Sequence, residues 1–172
     1  STVSTHTFQA QIYNPQMAIL VLNELLKEFP NANLCMIGPD KDGSLDDCVK
    51  LSYKLNIQRS VTFTGILKKE EWIKKAGRYD IFLNTTNYDN LPISILEAMA
   101  LGFPIVTTNA GGLSSFHKDK VDALIVEKKD FLTMAKNVKL IISDKSLSEK
   151  LSINARTKAE EFGWNILQNK WK

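Results

Sequence analysis

Short apolar runs, each closed by a turn residue, alternate along the chain with longer stretches of helical periodicity. Leu34 to Ile37 stops at Gly38, Ser60 to Thr64 at Gly65, and Asp80 to Leu83 at a polar loop. Ile105 to Thr107 and Ala123 to Val126 continue the series. Runs of this length, bounded by turn residues, read as strands buried on both faces of a parallel sheet. Between them the periodicity predicts helices. One starts at Asn14-Pro15, with Asn as cap and Pro in the first turn, and runs to about Phe29. Others run from Ser44 to about Leu55, Glu70 to about Ala76, Pro92 to about Leu101 and Asp130 to about Ser143. The last long one starts at Ser146 and ends near Phe162. Ser44 with Asp47, and Ser146 with Glu149, have the spacing of capping boxes. Thr5 to Ile12 reads weakly as a first strand, Ser114 to His117 as a short turn or helix, and residues 164–172 as a terminal helix.

Strand and helix therefore alternate about six times, which predicts an α/β fold with a doubly wound, Rossmann-like parallel sheet of about six strands. In such sheets a ligand binds outside the carboxyl ends of the strands, where the strand order reverses. With the usual winding, that crevice lies between the first and fourth strands. The loop 84–90 leaves the fourth strand.

Composition narrows the classes. The chain has 172 residues, 44% hydrophobic and 24% charged, an ordinary globular balance with material for one core. No apolar run reaches the roughly 20 residues of a membrane helix. The net charge is +3, with lysines dispersed among acids, so a nucleic-acid surface is not expected, while loose attraction to anionic lipid heads is compatible. Cys35 and Cys48 form neither a disulfide framework nor a zinc site and fit a reducing cytoplasm.

The stretch from Asn84 to Gly112 carries the candidate chemistry. A helix opening at Pro92 presents unpaired N–H groups and the positive end of its dipole, a ready anion site at the end of a parallel strand. Gly111-Gly112 would let a second backbone segment come close to the same ligand. Asp89 precedes this helix, and Glu97 is the only charge within it. Carboxylates repel phosphate, so their natural partners are hydroxyls; a ligand with both groups is a sugar nucleotide. Asp40-Lys41-Asp42-Gly43 reads as a turn. A calcium loop is excluded there because Leu51 stands where a bidentate Glu is needed. His6 and His117 lack the companions of a catalytic or metal-binding histidine.

The segment DNLPISILEAMALGFPIVTTNAGG, residues 89–112, resembles the donor-binding signature of family 4 glycosyltransferases of the GT-B fold. In that family two acids separated by seven residues end in a helix reading EAMA-x-G-x-P. Here Asp89 replaces the first Glu and Glu97 is the second, with seven residues between them. The resemblance runs from about Tyr13 to the C-terminus and covers the second of the family's two domains. It implies the C-terminal half of a GT-B fold, paired with an N-terminal acceptor domain of the same protein that lies outside this chain. It implies a retaining hexosyltransferase using a UDP- or GDP-sugar, with no obligatory metal, that serves polysaccharide biosynthesis on a glycan or lipid-linked acceptor. The expected place is the cytoplasm, at the inner face of the membrane.

By the same resemblance Glu97 holds the ribose hydroxyls and Asp89, one methylene shorter than the family's Glu, contacts the donor sugar. Asn90, Leu91, Pro92, Ile93 and Ser94 border phosphates and sugar, with the backbone N–H groups of Leu91, Ile93 and Ser94 as the donors. Ile66 and Leu67, after Gly65, border the base; Gly38, Gly111 and Gly112 allow close approach. One departure stands out. Family members hold the diphosphate with an Arg and a Lys near the first strand and helix, but residues 1–26 contain neither, and His6 lies near the Arg position. An alternative is therefore a catalytically inactive glycosyltransferase-like scaffold module. A flavodoxin-like signalling domain is set aside, because residues 1–15 hold no acid.

Overall fold

A computed structural model of the chain describes residues 2–5, 8–90 and 92–162. The strands are β1 (Thr2–Thr5) and, where the apolar runs predicted them, β2 (Leu34–Ile37), β3 (Val61–Phe63), β4 (Ile81–Asn84), β5 (Ile105–Thr108) and β6 (Leu124–Val126). Among the described residues they form one six-stranded sheet in the order β3-β2-β1-β4-β5-β6, parallel throughout. This is the doubly wound order, and its reversal lies between β1 and β4.

Alternation along each strand divides the core in two. Leu34, Met36, Ile81, Leu83 and Val106 face one side, where α2 (Pro15–Leu26), α3 (Ser44–Lys54) and α7 (Phe131–Ser143) cover them. Cys35, Ile37, Phe82 and Ile105 face the other, under α4 (Lys69–Ala76), α5 (Ile93–Ala100) and α8 (Lys145–Glu160). Two short helices remain, α1 (Ala10–Tyr13) and α6 (Leu113–Phe116). The hydrophobic α2 buries Met17, Ala18, Ile19, Val21, Leu22 and Leu25, as its sequence demands.

Several local expectations are corrected. The expected strand from Thr5 to Ile12 is instead β1, ending at Thr5, followed by the helical turn α1. Asp42 Oδ2 accepts the Ala10 N–H at 3.0 Å and starts that turn. Asn14 does not cap α2 through its side chain: it sits in the left-handed region at φ 45°, as the residue that ends α1. In α3 the cap is Gly43, and Asp42 Oδ1 accepts the Ser44 N–H at 3.1 Å; the Ser44–Asp47 box is not formed. In α8 the cap is Asp144, whose Oδ1 accepts from Leu147 N–H at 2.9 Å, so Ser146 lies inside the helix. Asp130 caps α7 as expected, accepting from Thr133 N–H. In α8 a carboxylate upstream of the serine does the work, an equally favoured cap residue that the loop delivers first, whereas in α3 a glycine takes the cap position. His6 and residues 164–172 lie outside the described residues.

Candidate functional site

A cavity of about 630 Å³ opens at the carboxyl ends of the strands, at the reversal of strand order. Its floor is the end of β2, with Ile37, Gly38 and Pro39, and the end of β4, with Asn84. One wall is α5 and its approach: Asp89, Pro92, Ile93, Ser94 and Glu97. The facing wall is Ile66, Leu67, Lys69 and Trp72, and Tyr13 closes the side near α1.

The loop after β4 is polar yet buried, a costly combination unless every group is bonded. Its side chains pair with the orphan carbonyls at the end of α1. Thr85 Oγ1 donates to the Tyr13 carbonyl at 3.0 Å, Thr86 Oγ1 to Ile12 at 2.9 Å and Asn87 Nδ2 to Gln11 at 3.0 Å. The Asn87 N–H adds a bond to the Ile12 carbonyl at 2.7 Å. Asn84 Nδ2 donates to Thr107 Oγ1 at 3.0 Å, so β5 fixes the loop's other flank.

Gly111 and Gly112 brace the same loop. A Cβ on Gly111, at φ 56°, would lie 2.0 Å from the Asp89 carbonyl oxygen, and one on Gly112 would lie 2.7 Å from that of Asn90. The Gly112 N–H donates to the Asp89 carbonyl at 3.1 Å. The close approach expected toward the ligand is instead made to the Asp89–Asn90 backbone, and neither glycine lines the cavity.

At the start of α5 the cap is Pro92, in extended conformation. The Ile95 N–H turns back to the Pro92 carbonyl at 3.0 Å. Helix geometry leaves the N–H groups of Ile93 and Ser94 with no intrahelical acceptor. One turn on, Glu97 is half-buried, its carboxylate 3.9 Å from Lys69 Nζ; the two side chains are 34% and 71% exposed. Pairs this open and this long contribute little by themselves.

The structure brings Gly38, Ile66, Leu67, Asp89, Pro92, Ile93, Ser94 and Glu97 to one cavity. Gly65 stands behind it, with φ 67° and its carbonyl accepting the Gly38 N–H at 2.9 Å. Asn90 is exposed and does not line the cavity, and Leu91 lies outside the described residues. The sequence reading missed Tyr13, Ile37, Pro39, Lys69, Trp72 and Asn84. Their one local signal is the three-residue spacing of Lys69 and Trp72 on a single helix face. Trp72 is buried against Phe82 and Phe103, ring centroids 6.5 and 6.2 Å apart, and anchors α4 to the sheet.

Two other polar features lie apart from this cavity. His117 is buried with Nδ1 2.9 Å from Asp122 Oδ1, and Lys158 Nζ donates to Asp122 Oδ2 at 2.7 Å. Burial works against the Asp122 carboxylate, but the bonds from His117, Lys158 and the Lys118 N–H outweigh it and hold it below its ordinary range. Asp40 and Asp42 spend their carboxylates on the N–H groups of Gly43, Ser44 and Ala10. Among the described residues no group of three or more His, Cys, Asp or Glu could hold a metal ion, and no helix is long and apolar enough to cross a membrane. A second cavity, of about 610 Å³, sits at the amino ends of the strands around Phe29, Ile81 and Ile142, beside the start of α8 at Lys145.

Comparison with known proteins matches residues 4–158 to the family model described as Glycosyl transferases group 1. An uncharacterized glycosyltransferase of Methanocaldococcus jannaschii is 29% identical over 137 residues, 78% of this chain and 34% of that protein. The Escherichia coli UDP-Gal:alpha-D-GlcNAc-diphosphoundecaprenol alpha-1,3-galactosyltransferase is 26% identical over 141 residues, 81% of this chain and 35% of that protein. This chain therefore spans about a third of the length of these curated relatives. Among solved structures, Anabaena Alr3699/HepE in complex with UDP and glucose superposes with a TM-score of 0.87 at 18% identity, over 99% of this chain and 46% of that one. The C-terminal domain of the Francisella tularensis protein LpcC gives 0.79 at 20% identity, over 99% of this chain and 86% of that one.

Proposed function

The chain belongs to the group 1 glycosyl transferases, with the doubly wound sheet of a GT-B domain, and on that footing we propose that its cavity is a sugar-nucleotide donor site. In this proposal a retaining transferase moves a hexosyl group from a UDP- or GDP-sugar to a glycan or lipid-linked acceptor. The acceptor is carried by a second domain of the same protein, so the 172-residue chain binds nucleotide without turning over. The complex at the inner face of the membrane serves polysaccharide assembly, and no metal is required.

The observation that carries the proposal is the convergence of the α5 amides and Glu97 on one cavity at the reversal of strand order. The Ile93 and Ser94 N–H groups suit the diphosphate, aided by a dipole equivalent to roughly half a positive charge. Glu97, one turn further, suits the ribose hydroxyls, and Asp89 the sugar. Ile66 and Leu67 offer an apolar wall to the base. Sugar transfer leaves a nucleoside diphosphate behind, and preorganised N–H donors aimed at that charge lower the barrier. That Anabaena HepE was seen with UDP and glucose on the same fold supports this choice of ligand.

A second reading, an inert scaffold module, is favoured by the lack of any Lys or Arg in residues 1–26. Calorimetric titration of UDP, GDP and ADP into the chain separates the two. A donor site binds one of them, and Glu97→Ala weakens that binding about tenfold or more, as loss of a charged hydrogen-bond acceptor should. A scaffold binds none.

A further inference from the structure

We propose that Lys69 supplies the cation that faces the diphosphate of the bound nucleotide. The inference rests on the donor-site proposal and adds to it a residue of α4. Among the described residues lining the cavity, Lys69 is the one lysine or arginine, and it stands against two carboxylates, Asp89 and Glu97. A nucleoside diphosphate brings two or more further negative charges into that space. The α5 dipole offsets only about half of one. The site therefore needs a full positive charge, and residues 1–26 hold no lysine or arginine to provide it.

The geometry puts that charge within reach. Lys69 Nζ lies 3.9 Å from Glu97 Oε1. Glu97 follows Ser94 by three residues and Ile93 by four, so all three share one helix face within about 5–6 Å. The ammonium thus stands beside a side chain of α5 rooted one turn beyond the amides that would receive the phosphates. At 3.9 Å it is not hydrogen-bonded to Glu97, so its donors are not consumed there.

Its base is fixed while its tip is open. Lys69 is the first residue of α4, where the Glu71 carboxylate accepts the Lys68 N–H at 2.8 Å. Trp72, three residues on, is wedged against Phe82 and Phe103. The side chain beyond this anchor is 71% exposed. Rotation about its aliphatic stem carries the ammonium from Glu97 to a phosphate oxygen without moving the backbone. Glu97 is then released toward a ribose hydroxyl, so one exchange readies both groups.

The test is titration of wild type, Lys69→Ala and Lys69→Arg with whichever of UDP, GDP and ADP the wild type binds, and with the matching nucleoside. Lys69→Ala should lose about tenfold or more in affinity for the diphosphate, as expected for a charge-assisted contact, and keep nucleoside affinity. Lys69→Arg should restore the diphosphate, and the wild-type advantage should shrink as salt is raised. Unchanged diphosphate affinity in Lys69→Ala overturns the inference while leaving the donor site standing. Equal losses for nucleoside and diphosphate overturn it too, because Lys69 would then act through Glu97 or the fold. A wild type that binds no nucleoside diphosphate removes the donor site and this inference together.

Discussion

Replacing Gly111 by alanine tests the bracing of the ligand loop quantitatively. The new Cβ would lie 2.0 Å from the Asp89 carbonyl oxygen and 2.9 Å from its carbon, both backbone atoms that cannot rotate away. Gly111 also has φ 56°, where an L side chain costs about 1–2 kcal/mol. Overpacking against backbone adds about 1–3 kcal/mol. The expected loss is therefore about 2–5 kcal/mol, or a displaced Asp89–Asn90 loop that relieves the clash. Displacement breaks the bond from the Gly112 N–H to the Asp89 carbonyl and shifts the approach to α5. Gly43→Ala is the internal control: it has φ 82°, but no atom lies within 4 Å of its Cβ, so only the backbone cost applies. Urea denaturation of both variants, with nucleotide titration of each, reads the difference. Gly111→Ala should be the less stable, the weaker nucleotide binder, or both. Equal stability in the two variants together with unchanged nucleotide affinity would refute the bracing role.

Trp72→Ala should cost about 3–5 kcal/mol by denaturation, since it removes a large buried side chain, and should weaken nucleotide binding by loosening α4; Trp72→Phe should cost less. Asp122→Asn should cost about 1–3 kcal/mol at neutral pH by unpairing His117 and Lys158. Because Asp122 titrates below its ordinary value of 3.8 in the folded state, its contribution is present above that value and lost as pH falls through the lower folded one. The wild-type advantage, followed by thermal denaturation, should therefore be full above that ordinary value and shrink as the pH is lowered beneath it. Burial pushes the Cys48 thiol up to about 12 and raises that of Cys35, so neither should react with a thiol reagent until the chain is denatured.

How legible these features were depended on where their causes lie. β2, β4 and β5 could be read because a strand buried on both faces needs an unbroken apolar run, and Gly38, Asn84 and the Asn109–Gly112 turn mark its end. The α5 start and Glu97 could be read because Pro92 and a single charge in an apolar helix are local signals. The cap of α8 was misplaced because Asp144 and Ser146 are chemically equivalent candidates, and that of α3 because Gly43 takes the cap position with no side-chain bond; tertiary placement of the loop decides both. α1 looked extended because its helical turn is imposed from outside, by Asp42 at its start and Thr85, Thr86 and Asn87 at its end. Lys69 and Trp72 were invisible as site residues because only the packing of α4 beside α5 brings them there. Gly111-Gly112 announced a close approach, but the approaching atom is 22 residues distant in sequence and could not be named from the chain.

Residue-resolved NMR titration with UDP, GDP and ADP tests the central claim most directly. If the α5 amides receive a diphosphate, the Ile93 and Ser94 N–H signals should move most, followed by those of Gly38 and Leu67, and Glu97→Ala should suppress the response. Saturable shifts centred instead on Phe29, Ile81 and Ile142 at the opposite end of the sheet, or no shift at millimolar nucleotide, would contradict it.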